Sequence, residues 1–232
     1  MLLFIGMLTL AFNIQSTRAE PTTIIVPDDY PTIQQAINAA NPGDTIFVRA
    51  GTYYEHVVIN KTVSLIGEDR NTTIIDGNMT GIVVSIMAND VSISGFWIRN
   101  GGHYFAETVF AGISLIDCFR ANVTDNVITN NYVGISTAPK DMDYEHYSHS
   151  NMITRNLLEN IQTNIRLWRT NNNLVEDNAI QNGIYGVTIH MSQNNTVMDN
   201  IFYSNGHALC LGDSYCNYIG TNNISSNSGG YI

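Results

Sequence analysis

Residues Thr124 to Asn131 read TDNVITNN: three asparagines bracket Val127 and Ile128, a β-branched pair too short to bury a face by itself. Related strings follow as TRNLLEN (154–160), EDNAIQN (176–182), MDNIFYSN (198–205) and TNNISSN (221–227). Taking one asparagine from each, Asn126, Asn156, Asn178, Asn200 and Asn223 are separated by 30, 22, 22 and 23 residues. An independent marker keeps the same period, because Gly112, Gly134, Asn164, Gly186 and Ala208 stand 22, 30, 22 and 22 apart, with Gly230 another 22 on. A unit of this length, made of three very short apolar segments, gains a core only if each segment pairs with its copy above and below. That arrangement is one coil of a single-stranded parallel β-helix, all-β, rising ~4.8 Å per coil. The leucine-rich repeat has a similar period but needs a leucine skeleton and a helical segment per unit, and neither is present.

In such a coil the asparagines have a mechanical role. An inward Asn at a corner both donates and accepts, so stacked copies can bond to one another and to the corner backbone. Asn126, Asn156, Asn178, Asn200 and Asn223 are expected to form this ladder. Asn130, Asn160, Asn182, Asn205 and Asn227 are expected as turn formers, since asparagine tolerates left-handed backbone. One stretch departs from the pattern: YPTIQQAINAANPGD (30–44) places Ile33, Ala36, Ile37 and Ala40 at helical spacing, with Thr32 and Gln35 as a capping box and Asn41, Pro42, Gly43 as a stop. An α-helix there would cap the open first coil and shield its edge.

The remaining composition narrows the function classes. Charged residues make up 13% of the chain and the formal net charge is −10, with ten Lys and Arg in all and no cluster of them, which argues against a nucleic-acid partner. Residues 1–19 carry an apolar run from Leu2 to Phe12 and end Thr17-Arg18-Ala19, as expected of a secretory signal cleaved near Ala19. The run is shorter than the ~20 residues a spanning helix needs, and no later segment would span a membrane, so the mature chain is expected without a transmembrane helix. The expected organisation is therefore a signal over 1–19 and a single β-helix domain over 20–232, with an N-terminal cap at about 22–50 and coils from about 51. GGYI ends the sequence where another strand should begin, so the chain is expected to be a fragment of a longer protein. Of Cys118, Cys210 and Cys216, the last two could bridge, but buried thiols are the expectation.

The stretch VPDDYPTIQQAINAANPGDTIFVRAGTYYEHVVINKTVSLIGED (26–69), followed by coils of the form GI.L and N.I..N, resembles the NosD-like proteins, also grouped as carbohydrate-binding and sugar-hydrolysis domains. The resemblance runs from about Thr22 to the end. It implies a right-handed, pectin-lyase-like solenoid, secreted, periplasmic or on a cell surface, and it brings an association with copper delivery; handedness does not follow from the spacing.

Uniform coils are scaffold, so the two places where the period lengthens by about eight residues are where a site should be sought. The first, NGGHYFAETVFAG (100–112), carries His103 and Glu107; the second, STAPKDMDYEHYSHSN (136–151), carries Asp141, Asp143, Tyr144, Glu145, His146 and His149. Both flank one column of strands. Taking Ile113 and Leu115 as inward, alternation puts Ser114, Ser136, Arg166, Thr188 and Cys210 outward, then Ile116, Ala138, Trp168, His190 and Gly212. Trp168 beside His190 and Arg166, under two polar loops, makes a strip suited to a sugar ring. The expected ligand-binding residues are Trp168, His190, Arg166, His103, Glu107, Tyr144 and His149, and the expected partner is an extracellular glycan or polysaccharide.

Enzymes on this architecture are the alternative. Glycoside hydrolysis needs two carboxyls about 5 to 9.5 Å apart, yet the polygalacturonase strings are missing: the only Asp-Asp is Asp28 with Asp29, outside the coils, and NGHA (205–208) is nearest to Gly-His-Gly. A lyase using Ca2+ needs clustered carboxylates, but Asp117 and Asp213 in this column lie four coils, ~19 Å, apart. Only Asp141, Asp143, Glu145 and His146 keep a lyase, hydrolase or epimerase open, so the balance leans away from catalysis. A copper(I) site would want soft ligands, and His190, Met191 and Cys210 are the candidates for it. A structural or adhesive solenoid without a small-molecule site is the remaining class. Neither oligomeric state nor ligand identity follows from the sequence.

Overall fold

The computed structural model describes residues 20–103, 110–137 and 148–231. Among these the chain winds into a parallel β-helix of three sheets with nine, eight and eight strands, every neighbour in a sheet being one coil away in sequence. The first sheet starts at Thr23–Val26 and Thr45–Val48, the second at Gly51–Tyr53, and the third at Val57–Ile59. Later coils repeat the order first, second, third. Thus Leu174–Glu176, Ala179–Gln181 and Tyr185–His190 belong to the first, second and third sheets.

The interior is a set of aligned aliphatic columns. Ile113, Ile135, Ile165, Val187 and Leu209 pair in turn along the third sheet, Val123, Ile153, Val175 and Val197 along the first, and Ile128, Leu158, Ile180 and Phe202 along the second. All of them are fully buried. Each contributes about 1.5–3 kcal/mol by leaving water, an amount no three-residue strand could gain unstacked. The helix Ile33–Ala39 buries Ile33, Ala36 and Ile37 against the first coil. Thr32 Oγ1 accepts from Gln35 N as expected, while the Glu55 carboxylate accepts from Ile33 N and Gln34 N and so completes the helix start.

The corners share one local rule: a left-handed residue, then an inward one, which from Asp125 on is most often Asn, Ser or Thr. In the opening stretch Asp125 (φ 56) precedes Asn126, and Asn130 (φ 53) precedes Asn131. At the corner from first to second sheet, Asn126, Asn156, Asn178 and Asn200 each donate their backbone N–H to the next coil's Asn Oδ1 at 3.0 Å. That ladder ends on Asn222, not Asn223: Thr221 holds the left-handed turn (φ 52), so Asn222 points inward, whereas Asn223 pairs with Ile201 in a strand. Asn205 and Asn227 are likewise ladder residues, bonded N to Oδ1 at 2.8 Å, because Ser204 and Ser226 take the left-handed positions. Asn130, Asn160 and Asn182 are turn formers as the sequence indicates.

Two further ladders line the corner from third to first sheet. Asn151, Asn173, Asn195 and Asn217 form one, and Ser148, Thr170, Ser192 and Ser214 the other. The three cysteines are free. Cys118 is buried, its thiol pushed up to about 11 by burial, whereas Cys216 is exposed, contrary to expectation, because it occupies a left-handed corner position (φ 54). Among the described residues no helix is long and apolar enough to cross a membrane.

Candidate functional site

The third sheet carries the outward residues, and its register is the one read from alternation. Ser136 pairs with Arg166, Arg166 with Thr188 and Thr188 with Cys210; two positions on, Trp168 pairs with His190 and His190 with Gly212. The Trp168 and His190 rings meet edge to face, centroids 5.9 Å apart at 89°. The Arg166 guanidinium lies over the indole, its Cζ 3.7 Å from the ring centroid. One indole face is thus taken by a planar cation, a contact that holds the guanidinium in place. Beside it, Trp168 Nε1 and Ser136 Oγ are buried without a hydrogen-bond partner among the described residues. Ser136 is only 1% exposed although it faces outward. A buried polar atom without a partner costs about 1–3 kcal/mol, a cost the fold carries at both.

Next to this strip the corner opens into a recess of about 430 Å³. Arg169, Met191 and Asp213, all left-handed (φ 49, 50 and 48), stand along one side. Asn171, Gln193 and Tyr215, bridged coil to coil, stand along the other, with Ser192 between. Within the recess Arg169 Nε reaches Met191 Sδ at 3.5 Å, and Asp213 Oδ2, 4.0 Å from His190 Nε2, joins the recess to the strip. A cation, a carboxylate, two amides and a phenol around a volume of this size suit an oxygen-rich ligand better than an apolar one.

The residues expected from sequence fall into three groups. Trp168, His190 and Arg166 come together. His149 stacks on Phe119 (5.1 Å, 5°), one coil before Asn171 in the column that borders the recess, while His103 is exposed where the chain enters the strand Ala111–Leu115, two coils from Trp168 and at the opposite end. Glu107, Asp141, Asp143, Tyr144, Glu145 and His146 lie outside the described residues. Arg169, Asn171, Gln193 and Tyr215 were not anticipated, although their spacing of 22 (169, 191, 213 and 171, 193, 215) was available in the sequence.

The copper candidates do not fit a copper site. Cys210 pairs with Thr188 rather than His190, Met191 directs its sulfur to Arg169, and burial raises the Cys210 thiol, which disfavours the thiolate a soft metal binds. Among the described residues no three His, Cys, Asp or Glu side chains lie close enough to hold a metal ion, Ca2+ included.

Residues 138–232 match the family described as periplasmic copper-binding protein (NosD). No curated protein matches the chain. Among solved structures, the alginate lyase from Paenibacillus sp. str. FPU-7 aligns at 12% identity and TM-score 0.55, over 90% of this chain and 97% of that one. The Agl-KA catalytic domain aligns at 13% and 0.63, over 88% of this chain and 45% of that one, and the pectin methylesterase from Aspergillus niger at 12% and 0.51, over 91% and 87%. At these identities the likeness is one of fold, a right-handed parallel β-helix, and the NosD family match covers residues 138–232 alone.

Proposed function

We propose that this NosD-like β-helix binds carbohydrate chains on the outer face of its third sheet, outside the cytoplasm. The observation that carries the reading is the Arg166–Trp168–His190 cluster, with a buried indole N–H and the Ser136 hydroxyl both unpartnered among the described residues, opening onto the recess beside Asp213. Aromatic ring edges beside amide, carboxylate and phenol groups match the alternating hydroxyls and C–H faces of a pyranose. The relatives named above as alginate lyase and pectin methylesterase support a polysaccharide as the class of ligand, and the word periplasmic in the family description, with the leader expected over residues 1–19, supports the location.

The test is binding of the full chain to alginate, pectin and cellulose oligosaccharides by calorimetry, with Trp168→Ala alongside. Binding to one of the three that weakens ~10-fold or more in the variant is expected; no binding to any, or binding indifferent to Trp168, removes the reading. The same mixtures, followed for new reducing ends or unsaturated products, decide whether the protein also acts on what it binds.

A further inference from the structure

At the opposite edge of the third sheet stands a second column built on the same plan as the first. Thr163 pairs with Tyr185, Tyr185 with His207 and His207 with Gly229. A Cβ at Gly186 would meet the buried Phe202 ring at 2.8 Å and Val187 after it is buried as well, so two successive inward residues mark a bend as the chain enters the strand, and Tyr185 stands ahead of that bend. Tyr185 and His207 are half-buried and stack, centroids 5.6 Å apart at 16°.

The glycines make the parallel specific. A Cβ at Gly229 would collide with Nδ1 of His207, and a Cβ at Gly212 would collide with Nδ1 of His190, so each imidazole lies over a glycine of the next coil. Two columns therefore read aromatic, histidine, glycine in successive coils: Trp168–His190–Gly212 and Tyr185–His207–Gly229. Each also holds one buried ring nitrogen without a hydrogen-bond partner among the described residues, Trp168 Nε1 in the first and His207 Nδ1 in the second. They share the strand Tyr185–His190, whose five steps put them at most ~16 Å apart. Thr188 and Cys210, both half-buried, lie between.

We propose that Tyr185–His207–Gly229 is a second carbohydrate subsite, so that the ligand is an extended chain lying along the strands and crossing the sheet from one column to the other. The inference rests on the carbohydrate reading above. It adds a direction and a minimum length: a chain that spans ~16 Å gains both columns, and a shorter one gains only one.

The experiment compares di- and octasaccharides of alginate, pectin and cellulose on the full chain, with the ring protons of His190 and His207 followed by NMR and affinities measured in parallel. An octasaccharide is expected to shift both histidines. Tyr185→Ala is expected to weaken octasaccharide binding ~10-fold or more, while disaccharide binding weakens far less. Gly229→Ala tests the same column without touching either ring: it should displace His207 and bring the octasaccharide affinity down toward that of the disaccharide. Should the octasaccharide shift His190 alone, or should Tyr185→Ala and Gly229→Ala leave its affinity unchanged, the second subsite is refuted while the Trp168 site stands. If no oligosaccharide moves either histidine, the carbohydrate reading falls and this inference with it.

Discussion

The corner between the first and second sheets and the outer face of the third sheet are built by the same coils and obey opposite rules. At the corner the inward residue is asparagine in five successive coils, Asn126, Asn156, Asn178, Asn200 and Asn222. On the face the column beside it reads Trp168, His190, Gly212, a different residue each time. The corner asparagine answers to the backbone of its neighbours, which is identical from coil to coil, so one side chain serves every coil. On the proposed reading the face answers to a ligand, and there repetition has no advantage. Uniformity in a column therefore reads as scaffold, and variation within a regular frame marks where the fold itself imposes least.

The sharpest way to break that contrast is at its uniform end. Asn178 Oδ1 accepts from the backbone and side chain of Asn156, and its Nδ2 donates to Ile153 O, Glu176 O and Asn200 Oδ1. Asn178→Ala would strand several of these buried groups, with an expected cost of ~3–4 kcal/mol in urea unfolding. A loss below ~1 kcal/mol would mean the ladder is ornament.

Asp76 offers a second, non-repeating device for comparison. It accepts from Asn78 N, Arg99 Nε and Asn100 Nδ2 while almost fully buried. Burial alone would raise its carboxyl, but Arg99 and the two amides hold it below the usual range. Its stabilisation is then complete above the ordinary aspartate value of ~3.9 and is lost as pH falls through the lower folded value. Wild type should lose thermal midpoint below that range, and Asp76→Ala, costing ~2–3 kcal/mol at neutral pH, should flatten the acid limb of the curve.

At the variable end, Trp168→Ala should cost ~10-fold or more in oligosaccharide affinity with a smaller loss of stability than Asn178→Ala. The reverse ranking would erase the distinction between face and corner. The smallest effect is expected at the exposed Arg120–Asp90 pair, stacked at another corner, where Arg120→Ala should change unfolding free energy by under ~1 kcal/mol, and less in high salt.

Much of the coil was legible in the sequence because its constraints repeat. The 22-residue period, the capping helix, the inward and outward alternation of the third sheet and the pairing of Trp168 with His190 all follow from spacing. What escaped did so for physical reasons. TNN offers two asparagines at one corner, and only the left-handed turn at Thr221 selects Asn222. Asn205 reads as a turn former because asparagine is good at both jobs, but the serine before it does the turning. The Ser148–Thr170–Ser192–Ser214 ladder hides because Ser and Thr are scattered throughout the chain. The recess was missed because its two sides mix Arg, Met, Asp, Asn, Gln and Tyr, residues that share a spacing but no chemistry.

The ladder also has a direction. Asn178 donates to Ile153 O, Asn200 to Val175 O and Asn222 to Val197 O, in each case to a carbonyl 25 residues earlier in the chain. In the same step its Oδ1 takes up the N–H that the preceding ladder asparagine presents. Each turn is therefore clamped onto one already made, using groups that the older turn exposes and the newer one supplies. A polypeptide emerging amino end first could lay this molecule down in the order of its synthesis, every finished turn serving as the template on which the next one closes.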